Sequence, residues 1–105
     1  MGQWHAVAAP NEIIEGVPFP VVIEGTPIAL YRLGDEIHAI GDICTHEHVR
    51  LSEGFVDGDV IECPLHQSCF SIRGGRVLNP PAREDLPSYQ VRIEDDQVFV
   101  NMQTA

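Results

Sequence analysis

The sequence predicts an all-β protein. Turn-forming residues are frequent, with eight prolines and nine glycines among 105 residues. No stretch keeps apolar residues on one helical face, whereas several short runs alternate apolar and polar residues, which is typical of half-buried strands. We therefore expect strands joined by turns, almost no helix, and a single domain that spans residues 1–105.

The first half of the chain predicts a three-stranded meander. Residues 21–24 and 28–33 have strand composition and are expected to join through a turn at Gly25-Thr26-Pro27. Gly34-Asp35 is the next turn signal, and a third strand follows at residues 36–40.

The C-terminal part predicts a β-hairpin. Tyr89, Val91 and Ile93 alternate with polar residues in the segment 89–94, as expected for a strand with one buried face. Asp95-Asp96 then separates this strand from a second one at residues 97–101.

Between these β regions lies a segment, about residues 42–82, that carries four candidate metal ligands. They are Cys44 and His46 in a Cys-Thr-His sequence, and Cys63 and His66 in a Cys-Pro-Leu-His sequence. Zinc fingers usually place two cysteines together and two histidines together, whereas each group here offers one thiolate and one imidazole. A [2Fe-2S] centre with two cysteines on one iron and two histidines on the other fits this donor set better.

Two features of this segment bear on how the ligands are held. The residues 54–61 between the ligand groups are expected to turn at Asp57-Gly58-Asp59, so that two loops carry the ligands. Pro80-Pro81 would form a stiff connection that walls the site, although a simple loop before the last hairpin is equally compatible with the sequence.

Cys-X-His, a gap of sixteen residues and Cys-Pro-Leu-His together resemble the Rieske family. The resemblance implies a Rieske fold, with a cluster-binding subdomain of two ligand loops inserted into an antiparallel β-sandwich scaffold. It implies one Rieske [2Fe-2S] cluster per chain, with Cys44 and Cys63 on the inner iron. His46 and His66 would bind the outer iron near solvent, where the electron enters and leaves.

Four further positions place the chain within that family. Rieske proteins of cytochrome bc complexes pin their two loops with a disulfide at the positions of Val49 and Leu65, so its absence here resembles the bacterial Rieske ferredoxins. Ser68 stands where high-potential members place a hydroxyl that bonds a bridging sulfide, and Phe70 replaces their tyrosine. Replacing Ser68 with Ala should therefore lower the midpoint potential modestly.

The remaining cysteine and histidines are not expected to bind metal. Cys69 lies close to the second ligand group, but the alternation that begins there makes it a strand residue. His5 and His38 lie in strand-like stretches far from the ligands and are interpreted as hydrogen-bonded or exposed. His48 is interpreted as a solvated loop residue, although a place at the rim of the site is an alternative.

Charge and cysteine content limit the partners and the compartment. Six basic residues, all arginine, face sixteen acidic ones, a formal net charge of −10, which argues against nucleic-acid binding. The acidic charge could serve solubility alone, or it could steer a small carrier toward its partners. No secretory or membrane-spanning segment is recognised, and three cysteines favour a reducing cytoplasm. We expect a cytoplasmic monomer.

The resemblance implies electron transfer without catalysis. The most similar group is the ferredoxin component of bacterial aromatic-ring-hydroxylating dioxygenase systems, which carries electrons from a flavoprotein NAD(P)H-dependent reductase to a terminal Rieske non-haem iron oxygenase. With 105 residues the chain has no room for the oxygenase's own mononuclear iron domain. Two alternatives stay open: the small subunit of a nitrite reductase-like system, and a non-redox module whose loops are held by zinc or a static cluster.

Overall fold

The structure is a computed structural model that describes residues 3–45, 48–65 and 68–104. These residues contain two short 3-10 helices, Pro10–Glu12 and Leu51–Glu53, and no α-helix. Strands make up the rest of the regular structure, which confirms the all-β prediction. They are β1 Trp4–Ala8, β2 Phe19–Ile23, β3 Thr26–Leu33, β4 Glu36–Gly41, β5 Phe55–Asp57, β6 Val60–Glu62, β7 Cys69–Ser71, β8 Ser88–Glu94 and β9 Gln97–Thr104.

The described strands form two antiparallel sheets. The larger sheet has six strands in the order β1-β9-β8-β4-β3-β2, and the smaller one has three in the order β5-β6-β7. The small sheet lies in the chain between β4 and β8, where the sequence predicted an inserted subdomain. Because β4 and β8 are neighbours in the large sheet, the insertion starts and ends on adjacent strands.

The predicted meander is present as β2, β3 and β4, but the position of its first turn was wrong. The turn consists of Glu24 and Gly25, with φ angles of 53° and 82°, and Thr26 already pairs with Ile23. Two central residues with positive φ form the tight turn whose twist matches that of the flanking strands. A turn at Gly25-Thr26-Pro27 would have interrupted this pairing.

The predicted C-terminal hairpin is confirmed as β8 and β9. Asp95 and Asp96 form its turn with φ angles of 51° and 63°, a conformation that aspartate tolerates better than most residues. The second strand is longer than residues 97–101 and ends at Thr104, because Tyr89 of β8 pairs with Thr104. On its other side β9 pairs with β1.

Strand β3 is buried on both faces and separates two apolar cores. Ile28 and Leu30 belong to a first core enclosed by the six-stranded sheet. Ala29, Tyr31 and Leu33 belong to a second core that includes the two predicted cysteine ligands. Successive side chains of a strand point to opposite faces, so one strand carries the scaffold on one side and the candidate site on the other.

The large sheet curls so that its two edges approach each other. β1 and β2 are its edge strands, yet the His5 ring in β1 lies 2.8 Å from the Glu24 carboxylate at the end of β2. His5 is therefore a scaffold residue within ion-pair distance of Glu24, and its Nε2 atom makes no hydrogen bond to the part of the chain that the structure describes. Within the described residues, no helix has the length and apolar character needed to cross a membrane.

Candidate metal centre

The first ligand loop is the end of a small hairpin that follows β4. Ile43 and Arg50 form an isolated β-bridge, and the Cys44 N–H donates to the Val49 carbonyl at 3.0 Å. Cys44 is therefore the first residue of a loop whose base is closed by backbone hydrogen bonds. This geometry fixes the cysteine at the edge of the hairpin rather than on a free loop.

The buried carboxylate of Asp42 anchors the base of this loop. It accepts hydrogen bonds from the Ser52 N–H and the Ser52 hydroxyl, both at 2.7 Å, and the Asp42 carbonyl accepts from the Leu51 N–H at 2.7 Å. Burial raises the pKa of Asp42, while the Ser52 hydrogen bonds and the nearby Arg50 act in the opposite direction. The sequence analysis did not identify Asp42, because nothing local signals a partner ten residues away.

The second ligand loop repeats the geometry of the first. It connects β6 to β7, where Glu62 pairs with Cys69, and the Cys63 N–H donates to the Ser68 carbonyl at 2.8 Å. In both loops the cysteine N–H donates to the carbonyl of the residue five positions later. Each cysteine is therefore the first residue of the loop that closes its hairpin. Two loops that hold their cysteines in the same way are suited to binding one shared metal cluster.

The two cysteines lie in the same buried core. Cys44 is 3% exposed and Cys63 is 1% exposed, and both belong to the second core beneath the small sheet. All three cysteines of the chain are described, and none forms a disulfide. A buried thiolate is costly without a positive partner, so two thiols at the heads of matched loops fit a site that binds metal.

His46 and His66 lie outside the described residues. Among the residues that are described, no group of three histidine, cysteine or acidic side chains gathers in a metal-binding arrangement. The structure thus brings Cys44 and Cys63 into one core, and the assignment of all four ligands stays a prediction.

Cys69 is a strand residue, as predicted. It lies in β7, half-buried, and its N–H donates to the Asn79 side-chain oxygen at 2.6 Å. Burial, and then the negative charges of Glu62 and Asp57, raise the pKa of its thiol. Its pairing with Glu62 places Cys69 within the small sheet and not at the head of a ligand loop.

The two other predicted non-ligand histidines also lie where expected. His48 is exposed on the first ligand loop. The ring of His38 lies 2.9 Å from the carboxylate of Glu36, which also pairs with Arg73. These hydrogen bonds lower the pKa of Glu36, His38 contributing most.

The segment after β7 contacts both ligand loops. The Thr45 hydroxyl donates to the Glu84 carbonyl at 2.8 Å, and the Ala82 N–H donates to the Ser68 hydroxyl oxygen at 2.9 Å. Ser68 is fully buried. The Pro80-Pro81 pair, whose peptide bond is cis, begins this stretch. Sequence reasoning identified the prolines but missed both hydrogen bonds, since each joins residues far apart in the chain.

A family model described as the Rieske [2Fe-2S] domain matches residues 3–90. The chain belongs to this family. The Rieske fold and the [2Fe-2S] cofactor implied by the sequence motifs are thereby confirmed. The two thiols that lie in a shared core, at the heads of matched loops, are half of the predicted donor set.

Individual Rieske proteins match nearly the whole chain. The anthranilate 1,2-dioxygenase ferredoxin subunit of Burkholderia cepacia is 43% identical over 102 residues, which covers 97% of this chain and 94% of that protein. In the solved complex of reduced oxygenase and oxidized ferredoxin in carbazole 1,9a-dioxygenase, one chain matches with a TM-score of 0.93 at 35% identity. That match covers 100% of this chain and 98% of the other.

A more distant match concerns a different electron-transfer system. The proposed NADH-dependent nitrite reductase small subunit from Mycobacterium tuberculosis has a TM-score of 0.81 at 27% identity, over 92% of each chain. The same domain thus occurs in more than one kind of reductase or oxygenase system. The higher similarities are to ferredoxin components of dioxygenase systems.

Proposed function

We propose that this Rieske protein is a one-electron carrier that takes electrons from a flavoprotein NAD(P)H-dependent reductase. It passes them to a terminal Rieske non-haem iron oxygenase that hydroxylates aromatic rings. The observation that carries the proposal is the end-to-end similarity to a dioxygenase ferredoxin subunit and to a chain in a ferredoxin–oxygenase complex. Similar ferredoxins act in systems for different aromatic compounds, anthranilate and carbazole. We therefore assign the choice of aromatic substrate to the oxygenase and not to the ferredoxin.

Cys44, His46, Cys63 and His66 are the proposed ligands of the [2Fe-2S] cluster. The burial of both cysteines supports their place on the inner iron, because a cluster-bound thiolate is shielded there from water. The histidines belong on the outer iron, since imidazole carries less negative charge than thiolate and leaves an edge for electron exchange. A bound cluster would store one electron, while Cys44 and Cys63 would hold it within the buried core, shielded from water.

The surface of the second ligand loop is suited to brief contact with partners. Leu65, which directly precedes the proposed ligand His66 in the sequence, is 62% exposed. A small apolar contact surrounded by polar surface favours complexes that form and separate quickly. The net charge of −10 adds long-range attraction to a positively charged docking site. We propose a cytoplasmic monomer that uses this loop with both partners in turn.

Metal analysis of the purified protein tests the cofactor and its ligands. We expect a red-brown protein with about two irons and two labile sulfides per chain. Cys44→Ser, His46→Ala, Cys63→Ser and His66→Ala should each lose this cluster, while His48→Ala should keep it because His48 is an exposed loop residue. A colourless zinc protein would instead support the non-redox module, and loss of the cluster in His48→Ala would contradict the ligand set.

Reconstituted electron flow tests the role. The protein should be reduced by a ferredoxin reductase with NAD(P)H and then reoxidised by a dioxygenase under single-turnover conditions. The distant similarity to a nitrite reductase small subunit gives the alternative a direct test with the corresponding large subunit. Oxidation by that subunit, with no transfer to any dioxygenase, would replace the proposed function with the alternative.

A further inference from the structure

We propose that residues 82–84 strap the two ligand loops together through hydrogen bonds, in a chain whose cysteines form no disulfide. This strap accepts a hydrogen bond from Thr45 in the first loop and donates one to Ser68 in the second. The inference rests on the proposed ligand set, because it concerns how long the loops retain their cluster. Thr45 and Ser68 act as positioning residues.

The contact with the first loop is made by the residue between two proposed ligands. Thr45 separates Cys44 from His46, and its hydroxyl donates to the Glu84 carbonyl at 2.8 Å. Side-chain hydroxyls usually bond neighbouring backbone in their own loop. Here the acceptor is thirty-nine positions away, so the bond constrains the loop from outside.

The contact with the second loop is fully enclosed. Ser68 is 0% exposed and Ala82 is 3% exposed, and the Ala82 N–H donates to the Ser68 hydroxyl oxygen at 2.9 Å. The Ser68 carbonyl accepts from Cys63 in the same loop. A bond that is shielded from water holds its geometry more strictly than an exposed one, since breaking it leaves a buried N–H without a partner.

The strap is itself fixed to the scaffold at both ends. Upstream, the Leu78 N–H donates to the Cys69 carbonyl in β7 at 2.8 Å. Downstream, the Leu86 N–H donates to the Gly75 carbonyl at 2.8 Å, and the Gly41 N–H donates to the Pro87 carbonyl at 2.9 Å. With both ends held, the strap can transmit a restraint from one ligand loop to the other.

A double-mutant cycle on the intact holoprotein tests the strap. The measured quantity is the rate of cluster loss, followed as decay of the visible absorbance at elevated temperature. Thr45→Val removes the hydroxyl with little change in shape, and Ser68→Ala removes the acceptor of Ala82. Each should accelerate cluster loss by about tenfold, the scale of one lost hydrogen bond.

The combination of the two substitutions decides between a strap and two separate contacts. A strap that is broken at one end no longer joins the loops, so the double variant should lose its cluster about as fast as the faster single variant. If the two fold-changes multiply, the contacts are independent and the proposal is wrong. It is also wrong if either single variant has the wild-type rate.

Matched variants separate the strap from general destabilisation. Thr45→Ser keeps a hydroxyl and should restore a rate close to wild type. Thr26→Val and Ser71→Ala make the same chemical changes outside the strap and should leave the rate of cluster loss unchanged. A similar acceleration in these two controls would show that any lost hydroxyl weakens the protein.

Hydrogen exchange provides a second measurement that does not depend on electron transfer. The amide of Ala82 should exchange slowly in the wild type and faster in Ser68→Ala. Thr45→Val should also accelerate it, although Thr45 does not contact that amide. Unchanged exchange at Ala82 in Thr45→Val would overturn the proposal. If the protein is red-brown with full iron content, but Thr45→Val does not affect exchange at Ala82, the strap alone is refuted. A purified protein without a cluster would instead refute the proposed ligands.

Discussion

Backbone hydrogen bonds hold both predicted cysteine ligands at the residue scale. The Cys44 N–H bonds Val49 at 3.0 Å, and the Cys63 N–H bonds Ser68 at 2.8 Å. Such bonds depend on the loop length and not on the side chain, so replacing either cysteine should remove a ligand and leave the hairpin in place. The sequence motif identified the cysteines, but only the structure shows that the two loops close in the same way.

Replacing Cys69 tests the distinction between a ligand and a neighbouring thiol. Because Cys69 lies within strand β7, where it pairs with Glu62, and not at the head of a ligand loop, Cys69→Ser should keep the visible spectrum and the iron content of the wild type. Iron and sulfide analysis of the purified variant measures this, with Cys63→Ser as the matched variant that should lose the cluster. A colourless Cys69→Ser protein would show that Cys69 is a ligand.

Histidine ligation predicts a pH-dependent midpoint potential. Oxidation makes metal-bound imidazole rings more acidic, so His46 and His66 should release protons from the oxidised protein at high pH. Proton release stabilises the oxidised form, and the midpoint potential should therefore fall as the pH rises above neutral. Protein-film voltammetry over the alkaline range measures it. A potential that stays constant there would contradict ligation by the two histidines.

At the level of strands and loops, turns and close backbone contacts determine how the elements are positioned. The Glu24-Gly25 and Asp95-Asp96 turns both use two residues with positive φ, although only the second was located correctly from the sequence. Gly54 illustrates a different constraint, because a Cβ atom there would lie 2.0 Å from the Glu62 carbonyl oxygen. Glu62 precedes the proposed ligand Cys63, so this close approach positions the start of the second ligand loop.

Gly54→Ala should therefore destabilise the protein and its cluster together. Forcing a methyl group against the Glu62 backbone should cost about 1–3 kcal/mol or more in the free energy of unfolding. Denaturant unfolding of the holoprotein measures the change. Gly74→Ala is the matched control, since a Cβ there has no atom within 4 Å and should leave stability nearly unchanged. Equal effects in the two variants would contradict the role given to Gly54.

At the scale of the whole molecule, charge is expected to govern encounters with partners. Sixteen acidic residues against six arginines leave a long-range negative field on a small protein. Such a field raises association rates with a positively charged partner and is screened within about 10 Å at 0.1 M salt. The apolar core, by contrast, does not depend on salt to first order.

The rate of electron transfer between the proposed partners should therefore fall with ionic strength. We expect the second-order rate constant for reoxidation by the oxygenase to decrease by about tenfold or more between low and high salt. Stopped-flow kinetics measures the rate, and the midpoint potential over the same range controls for changes in the cofactor. A rate constant independent of salt would assign the acidic charge to solubility alone.

The all-β class, the last hairpin and the candidate ligand groups could be predicted from the sequence alone. These features depend on local signals: alternation, turn residues and the spacing of cysteine and histidine within short motifs. Rieske membership could be predicted for the same reason, because the motif residues are close together in the chain.

The contacts that hold the candidate site in place could not be predicted from the sequence. β3 divides the molecule into two cores, Asp42 closes the first loop through Ser52, and Thr45 and Ser68 each contact a segment far away in sequence. None of these contacts has a local signature, since a hydroxyl or a carboxylate in a loop can bond whatever backbone the fold brings near it. Partners joined by folding are therefore visible in the structure and not in the sequence.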